Sequence, residues 1–331
     1  MNRPTLDELS GISDMQDNWL AIPSKEVNER YEQIRSRSGV LNIADREFRA
    51  ELKDIEEIGE LGRGAFGVVR KARFKKTGSL MAVKIMPATG DAESNKRMVM
   101  DMDVIMRSHS CPHIVRCYGC FVFESEVRIC MELMTMCLGK LLKIAKQFPE
   151  EIVGKVTVAV LDALNYLKEK ERIMHRDIKP SNILVDMNGN IKLCDFGIAG
   201  RLIDTMHAES DSRGCMAYLA PERIGSSRIY GVRSDVWSFG ITLFELITGV
   251  HPYAECQTDF ELLTKIKSES PPKIDSSFGC SKLFVAFVAK CLRKNDKERP
   301  NYQELLADPF VITSQRSQTD VGRWVQEQLQ S

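Results

Sequence analysis

Net charge is what this sequence most plainly lacks. Across 331 residues, Lys and Arg together number 46 and Asp and Glu together number 46, so 46 − 46 leaves zero. That balance argues against a general binder of nucleic acid or of a membrane surface, although local patches stay open. Long apolar runs are missing too. None approaches the roughly 18 residues a membrane span needs, and Met1–Ser10 has no apolar core of the signal-peptide kind. The expectation is therefore an intracellular protein with its ten cysteines mostly reduced, at work in the cytoplasm with entry to the nucleus left open. Cys117-Tyr118-Gly119-Cys120 is the only C-x-x-C; with neither a second pair nor a histidine to complete a zinc site, it reads as strand packing. There is also no G-x-x-x-x-G-K-[ST], which disfavours a P-loop ATPase. What remains is a globular composition, 43% hydrophobic and 28% charged, long enough for one large domain or two ordinary ones.

The most informative stretch runs from residue 173 to 197: I-M-H-R-D-I-K-P-S-N-I-L-V-D-M-N-G-N-I-K-L-C-D-F-G. Ile183-Leu184-Val185 and Ile191-Lys192-Leu193 read as two short strands, and Asn188-Gly189 supplies the positive-φ positions of a tight hairpin turn. Such a turn brings Asp177, Asn182 and Asp195 to one end of a small sheet. Two carboxylates and an amide there suit a hard, oxygen-seeking cation such as Mg²⁺. Singly, each would pass for a turn former. Together, H-R-D-I-K-P-S-N followed by D-F-G resembles the catalytic and metal loops of eukaryotic protein kinases.

Upstream, Gly62-Arg63-Gly64-Ala65-Phe66-Gly67-Val68-Val69 fits G-x-G-x-x-G-x-V, a weak signal by itself because dinucleotide-binding folds share it. The residues after it separate the two. A dinucleotide loop opens a helix, whereas Val68–Lys71 and Met81–Ile85 are β-type with Thr77-Gly78 turning between them. Glycine lets backbone approach phosphates that a Cβ would push away. Lys84 closes an apolar strand, either as a solvated strand end or as a cation for the α- and β-phosphates. The resemblance favours the phosphates and implies an acidic partner on the next helix, roughly 93–108. Where protein kinases usually carry Glu, the register falls on Asp101, one methylene shorter, so the helix must sit closer. Asp103 lies about 200° around the helix from it, so only one of the two can face Lys84.

The resemblance covers residues 52–312 and implies an α+β, bilobal protein kinase fold. Its parts would be a small β-rich N-lobe (about 52–131), a hinge (about 132–136) and a larger helical C-lobe (about 137–312). It implies ATP and Mg²⁺ as cofactors. Leu61, Gly62, Gly64, Gly67, Val69, Ala82, Lys84, Met131, Glu132 and Met134 would line the nucleotide, with main-chain groups of Glu132 and Met134 pairing with adenine. Asn182 and Asp195 would hold metal, Asp177 would orient the substrate hydroxyl, and Lys179 would meet the γ-phosphate. Asp235 would cap its helix and brace the catalytic loop, and Glu222 would pair with Arg299. Cys137 and Cys194 would lie at the front and floor of the nucleotide pocket. A helix is expected over about 150–171.

Outside that span, residues 1–51 read as a mostly flexible arm. Leu6, Leu9, Ile12, Met15 and Trp19 recur at near-helical spacing, interrupted by Gly11. Residues 35–43 allow two readings: an edge strand of Val40, Leu41 and Ile43, or a motif that docks a MAP kinase through its two arginines and its Leu-x-Ile pair. Residues 313–331 form an amphipathic helix through Val321, Trp324, Val325 and Leu329, which either packs on the domain or docks an upstream activator.

Within the kinases, the runs from Glu93 to Val115, M-E-L-M, I-K-L-C-D-F-G-I-A-G-R-L-I-D and G-C-M-A-Y-L-A-P-E-R-I resemble the MAP kinase kinases. G-V-L-N-I and F-K-K-T-G are most similar to the stress-activated branch that acts on c-Jun N-terminal kinases. The resemblance implies a dual-specificity enzyme that phosphorylates Thr and Tyr of a MAP kinase activation loop under an upstream kinase. The activating pair departs from the family's Ser-x-Ala-x-Thr/Ser by one extra residue. Counting from Gly214-Cys215 gives Ser210 as the second phosphorylation site and Thr205 as the first, with Ser212 a further candidate. A phosphate there would order the segment against a basic group.

Overall fold

The computed structural model describes residues 25–64, 67–87, 92–196, 200–201, 216–224 and 231–330. The chain divides into two compact units, Met1–Arg107 with Arg116–Leu133, and Ser108–Val115 with Met134–Ser331.

The first unit is an antiparallel sheet with helices α1 (Lys25–Ser36) and α2 (Ala92–Arg107). Its strands are β1 (Val40–Ile43), β2 (Arg46–Arg49), β3 (Ile55–Gly64), β4 (Gly67–Phe74), β5 (Leu80–Pro87), β6 (Cys117–Val122) and β7 (Glu126–Glu132), in the order β2-β1-β6-β7-β5-β4-β3. Every pairing is antiparallel. Because side chains alternate across a strand, one sheet face gathers Phe74, Met81, Val83, Phe121 and Cys130 into a core. Cys117 is half-buried and Cys120 buried, both in β6, so strand packing is what the Cys117–Cys120 pair does.

Leu41 and Ile43 belong to that same core, which corrects the expectation of a flexible arm up to residue 51. The arm is built in from residue 25. Tyr31 and Ile34 of α1 are buried, Gly39 N–H donates to Cys120 O at 2.9 Å, and Leu41 stands opposite Gly119 in β6. The folded unit therefore begins well before residue 52. Of the two readings of residues 35–43, the strand is the one observed, and burial of Leu41 and Ile43 leaves no apolar pair for a partner's groove. The Leu6–Trp19 pattern lies outside the described residues.

The second unit is largely helical. β8 (Met136–Cys137) leads into α3 (Leu138–Ala145) and α4 (Glu150–Tyr166), the latter continued by a π turn at Leu167–Glu171. Two acids in the first turn of α4 complement the helix dipole, and Val153, Val156, Leu161 and Leu164 fill its buried side. β9 (Ile173–Met174), β10 (Ile183–Val185), β11 (Ile191–Leu193) and β12 (Gly200–Arg201) follow. β10 and β11 form the hairpin expected from Asn188-Gly189, and β8 pairs with β10 on its other side. Then come α5 (Arg233–Thr248), α6 (Asp259–Ser268), α7 (Lys282–Cys291), α8 (Tyr302–Leu306), α9 (Pro309–Arg316) and α10 (Val321–Gln330). Of the two readings of the C-terminal stretch, packing on the domain is observed: Val325 is buried and Trp324 meets Phe148 edge-on at 4.7 Å between centroids. Among the described residues no helix is long and apolar enough to cross a membrane.

Candidate active site

In the first unit, residues directly opposite across a ladder share a face. Val69 faces Lys84 and Ala82 faces Met131, so these four project from the side opposite the Met81–Val83 core. Lys84 Nζ lies 2.6 Å from Asp101 Oδ2, with the two side chains 11% and 3% exposed. Helix α2 is held there by its apolar side, where Val99, Met102, Val104 and Ile105 are buried. Asp103 does point elsewhere, as the helix geometry requires, and pairs with Arg30 of α1 and with Arg107. A short Asp thus reaches the lysine, and α1 is tied by charge to the helix that carries it.

The glycine loop divides by cause. A side chain added at Gly62 or Gly64 would meet nothing within 4 Å, so these two leave open space beside the strand turn. Gly67 is different: its φ is +141°, and a Cβ would overlap the Ile85 carbonyl of the neighbouring strand. Its glycine is demanded by the sheet itself, whatever else comes near the loop. Leu61 is half-buried at the end of the same β3 strand. Glu132 N–H donates to Arg116 O at 2.9 Å and its carboxylate accepts Arg116 N–H at 2.6 Å, which fixes the end of β7 where the hinge begins.

In the second unit the catalytic loop is drawn together by Asp235. This buried carboxylate accepts His175 N–H at 2.9 Å, Arg176 N–H at 2.8 Å and the Tyr302 hydroxyl at 2.9 Å. Asp235 stands in the first turn of α5 but spends its oxygens on the loop, and the helix N-cap is Val232, with no side-chain cap bond. The expected brace is therefore present and the expected cap is not. Arg176 takes φ +68°, and the Arg223 guanidinium donates to its carbonyl at 3.1 Å. His175 Nδ1 accepts Asp177 N–H at 3.3 Å, which puts its proton on Nε2, 3.1 Å from the Cys194 carbonyl it donates to.

Asp177 Oδ2 receives the Lys179 ammonium at 2.8 Å and the Asn182 amide at 2.8 Å, and the same amide nitrogen also donates to the Asp177 carbonyl at 2.8 Å. Asn182 Oδ1 accepts the Ser181 hydroxyl at 3.4 Å. Cys194 N–H donates to Asn182 O at 3.0 Å, closing the hairpin just before Asp195, whose φ is +66°. A non-glycine residue in that region is strained, and such strain gathers at working sites. Among the described residues no group of three or more His, Cys, Asp or Glu side chains could enclose a metal. One amide oxygen and one carboxylate nevertheless fit Mg²⁺, which keeps its waters and takes substrate phosphates as ligands.

Away from the loop, Arg299 pairs with Glu222 at 2.8 Å and its guanidinium stacks 5.3 Å over the Trp237 ring. Thr205, Ser210, Ser212 and Cys215 lie outside the described residues, as does Gly197. Sequence reasoning missed Tyr302 and Arg223, and nothing in their local pattern marks them as supports of a loop more than a hundred or about fifty residues away. His175 carried a signal in its place beside Arg176-Asp177.

The protein kinase domain family model matches residues 55–311. Curated relatives agree with it. A dual specificity mitogen-activated protein kinase kinase named hemipterous, from Drosophila melanogaster, is 49% identical over 92% of this chain and 26% of its own length. Dual specificity mitogen-activated protein kinase kinase 7 from Homo sapiens is 47% identical over 93% of this chain and 74% of its own. Dual specificity mitogen-activated protein kinase kinase mek-1 from Caenorhabditis elegans is 45% identical over 91% of this chain and 88% of its own. The chain thus spans about a quarter of the fly relative's length.

Proposed function

The chain belongs to the protein kinase family, among its dual-specificity MAP kinase kinases, and from that we propose a reaction, a substrate class and a role for each site residue. The enzyme transfers the γ-phosphate of ATP to Thr and Tyr of a MAP kinase activation loop, and it is switched on by an upstream kinase. The observation that carries this reading is the convergence of Lys179 and Asn182 on Asp177 Oδ2.

Asp177 accepts or orients the substrate hydroxyl. Lys179, now paired with Asp177, is near enough to answer negative charge as it grows on the transferring phosphate. Asn182 Oδ1 and the Asp195 carboxylate would hold the divalent cation, taken as Mg²⁺, which would supply positive charge to neutralise the phosphates. Lys84, steadied by Asp101, meets the α- and β-phosphates, and the open space at Gly62 and Gly64 admits them to the backbone. Little covalent chemistry falls to the protein, so positioning and electrostatic stabilisation carry the rate.

The c-Jun N-terminal class is the proposed substrate, supported by the G-V-L-N-I and F-K-K-T-G runs, while the relatives' names support a MAP kinase as substrate. Thr205 and Ser210 are the proposed activating phosphosites, and the cytoplasm, with access to the nucleus, is the proposed place of work. The test is an assay with Mg-ATP on purified kinase-dead MAP kinases of the three main classes, using protein with Thr205→Glu and Ser210→Glu and mapping phosphosites on each substrate. Dual Thr and Tyr phosphorylation confined to the c-Jun N-terminal class is expected. Transfer to another class overturns the branch, and no transfer to any class with ATP still bound overturns the enzymatic reading in favour of a scaffold.

A further inference from the structure

The residues proposed to hold the cation sit at the two roots of one hairpin. Asn182 immediately precedes β10, and Asp195 follows β11 with only Cys194 between. Each strand has three residues, so the hairpin is a lever roughly 10 Å long. Its base is fastened where Val115 N–H donates to Leu193 O at 3.0 Å, and Thr135 N–H donates to Val185 O at 3.0 Å where β10 meets the turn. Its tip is stiff. Asp186 Oδ1 accepts Asn188 N–H and Asn190 N–H, each at 2.9 Å, and Oδ2 accepts the Asn190 side-chain amide at 2.7 Å. A turn wrapped in this way moves as one piece, and whatever touches the tip sets the tilt of the whole hairpin.

The C-terminal helix touches it, backbone against backbone. A Cβ on Gly322 would stand 2.8 Å from Asn188 C, 2.9 Å from Met187 O and 3.0 Å from Asn188 O. From the other side, a Cβ on Gly189 (φ +83°) would stand 2.6 Å from Gly322 N. Both glycines are needed for the surfaces to close. One turn further along α10, the Gln326 side-chain amide donates to Met187 O at 2.9 Å. The helix cannot easily retreat, because Val325 is fully buried and Trp324 is seated on Phe148.

We propose that Gly322 is a positioning residue: through its contact with the Asn188-Gly189 turn, α10 fixes the hairpin and with it the cation-holding groups of Asn182 and Asp195. This rests on the metal assignment made above. A helix that merely stabilises the fold would have no bearing on cation affinity. Gly322→Ala separates the two ideas, because Ala is the better helix former and by propensity alone would favour α10.

The experiment uses the full chain. Mn²⁺ binding is followed by electron paramagnetic resonance with a non-hydrolysable ATP analogue present, and amide hydrogen exchange across residues 183–193 is measured without metal. For Gly322→Ala, Mn²⁺ affinity is expected to fall about tenfold, the loss typical when an outer-layer support of a metal ligand is removed. Exchange at Val185 and Ile191 should rise while amides of α5 stay unchanged. Gln326→Ala, exposed and safe for folding, should shift both readouts in the same direction by less. Mn²⁺ affinity unchanged in both variants, with Asp195→Asn and Asn182→Ala losing the ion, overturns the positioning role and leaves the metal assignment standing. If Asp195→Asn and Asn182→Ala also bind as the parent does, the metal assignment falls and takes this inference with it.

Discussion

The hydroxyl of Tyr302 donates to Asp235 Oδ2 at 2.9 Å, so a residue of α8 supports the carboxylate that fixes a catalytic loop far upstream. Both groups are buried, and the Tyr302 phenol is held protonated well above its usual range by burial and by the charge of Asp235. Tyr302→Phe should lower unfolding stability by about 1.5–3 kcal/mol, the worth of a hydrogen bond to a charged group. Asp235→Ala should cost more, because it leaves the His175 and Arg176 N–H groups without their acceptor. Urea unfolding of both variants checks this; Tyr302→Phe as stable as the parent would show the hydroxyl to be idle.

Asp101→Glu tests whether α2 is placed for the shorter side chain. The added methylene must displace either the helix or the Lys84 ammonium, and a shift of 1 Å can cost about 10²-fold in rate. A drop in kcat/KM of about that order is expected, with a raised KM for ATP. Unchanged kinetics would mean that α2 slides freely, against the Arg30–Asp103 tie.

The Glu222–Arg299 pair predicts an acid sensitivity. Burial alone would push the Glu222 carboxyl up, but the Arg299 guanidinium and the Ser234 hydroxyl outweigh it and hold the group below its usual range. A carboxyl depressed on folding stabilises the protein above its unfolded pKa of about 4.3, and that contribution is lost as pH falls through the folded value. Between those two values the unfolded chain binds the extra proton. Urea midpoints should therefore fall more steeply below about pH 4.3 in the parent than in Glu222→Gln, and superimposable profiles would refute the assignment.

A nucleotide-directed electrophile should label Cys137 or Cys194, both partly exposed. Cys120 and Cys130 should escape, since burial pushes their thiols up to about 11 and about 12. Peptide mass spectrometry after labelling reads the outcome. Both Cys137 and Cys194 unmodified while nucleotide still binds would count against their expected place by the nucleotide.

Local chemistry made the hairpin and its flanks readable in advance. Asn188-Gly189 announces a turn, short, largely apolar three-residue runs flank it, and Asp177, Asn182 and Asp195 fall at the roots by arithmetic. Lys84 with Asp101 followed from the kinase resemblance, which implies an acidic partner on the next helix. What stayed hidden depends on partners distant in the chain. Residues 25–36 look like a solvated polar segment because the charge on Arg30 is answered by Asp103, 73 positions away. Phe48 is the lone apolar residue of β2, so the strand gives almost no alternation to read, and Val40–Ile43 becomes core only because β6 lies beside it. Gly67 was legible as a loop glycine, but its collision with the Ile85 carbonyl is a property of the assembled sheet.

The β1–β2 hairpin also decides what the sheet shows at its border. Without it β6, reading Cys117-Tyr118-Gly119-Cys120-Phe121-Val122, would be the outermost strand, an apolar ladder inviting a second chain to add to it. With it the outermost strand is Arg46-Glu47-Phe48-Arg49, three charges in four residues, which resists such addition. The closure rests on Gly119, where φ is +144° and any side chain would collide with the Val40 carbonyl. A chain trimmed to start at residue 52, where the sequence alone would place the domain boundary, should therefore self-associate where the longer chain stays monodisperse. The hairpin that looked like an arm covers β6 with a short, charged border strand.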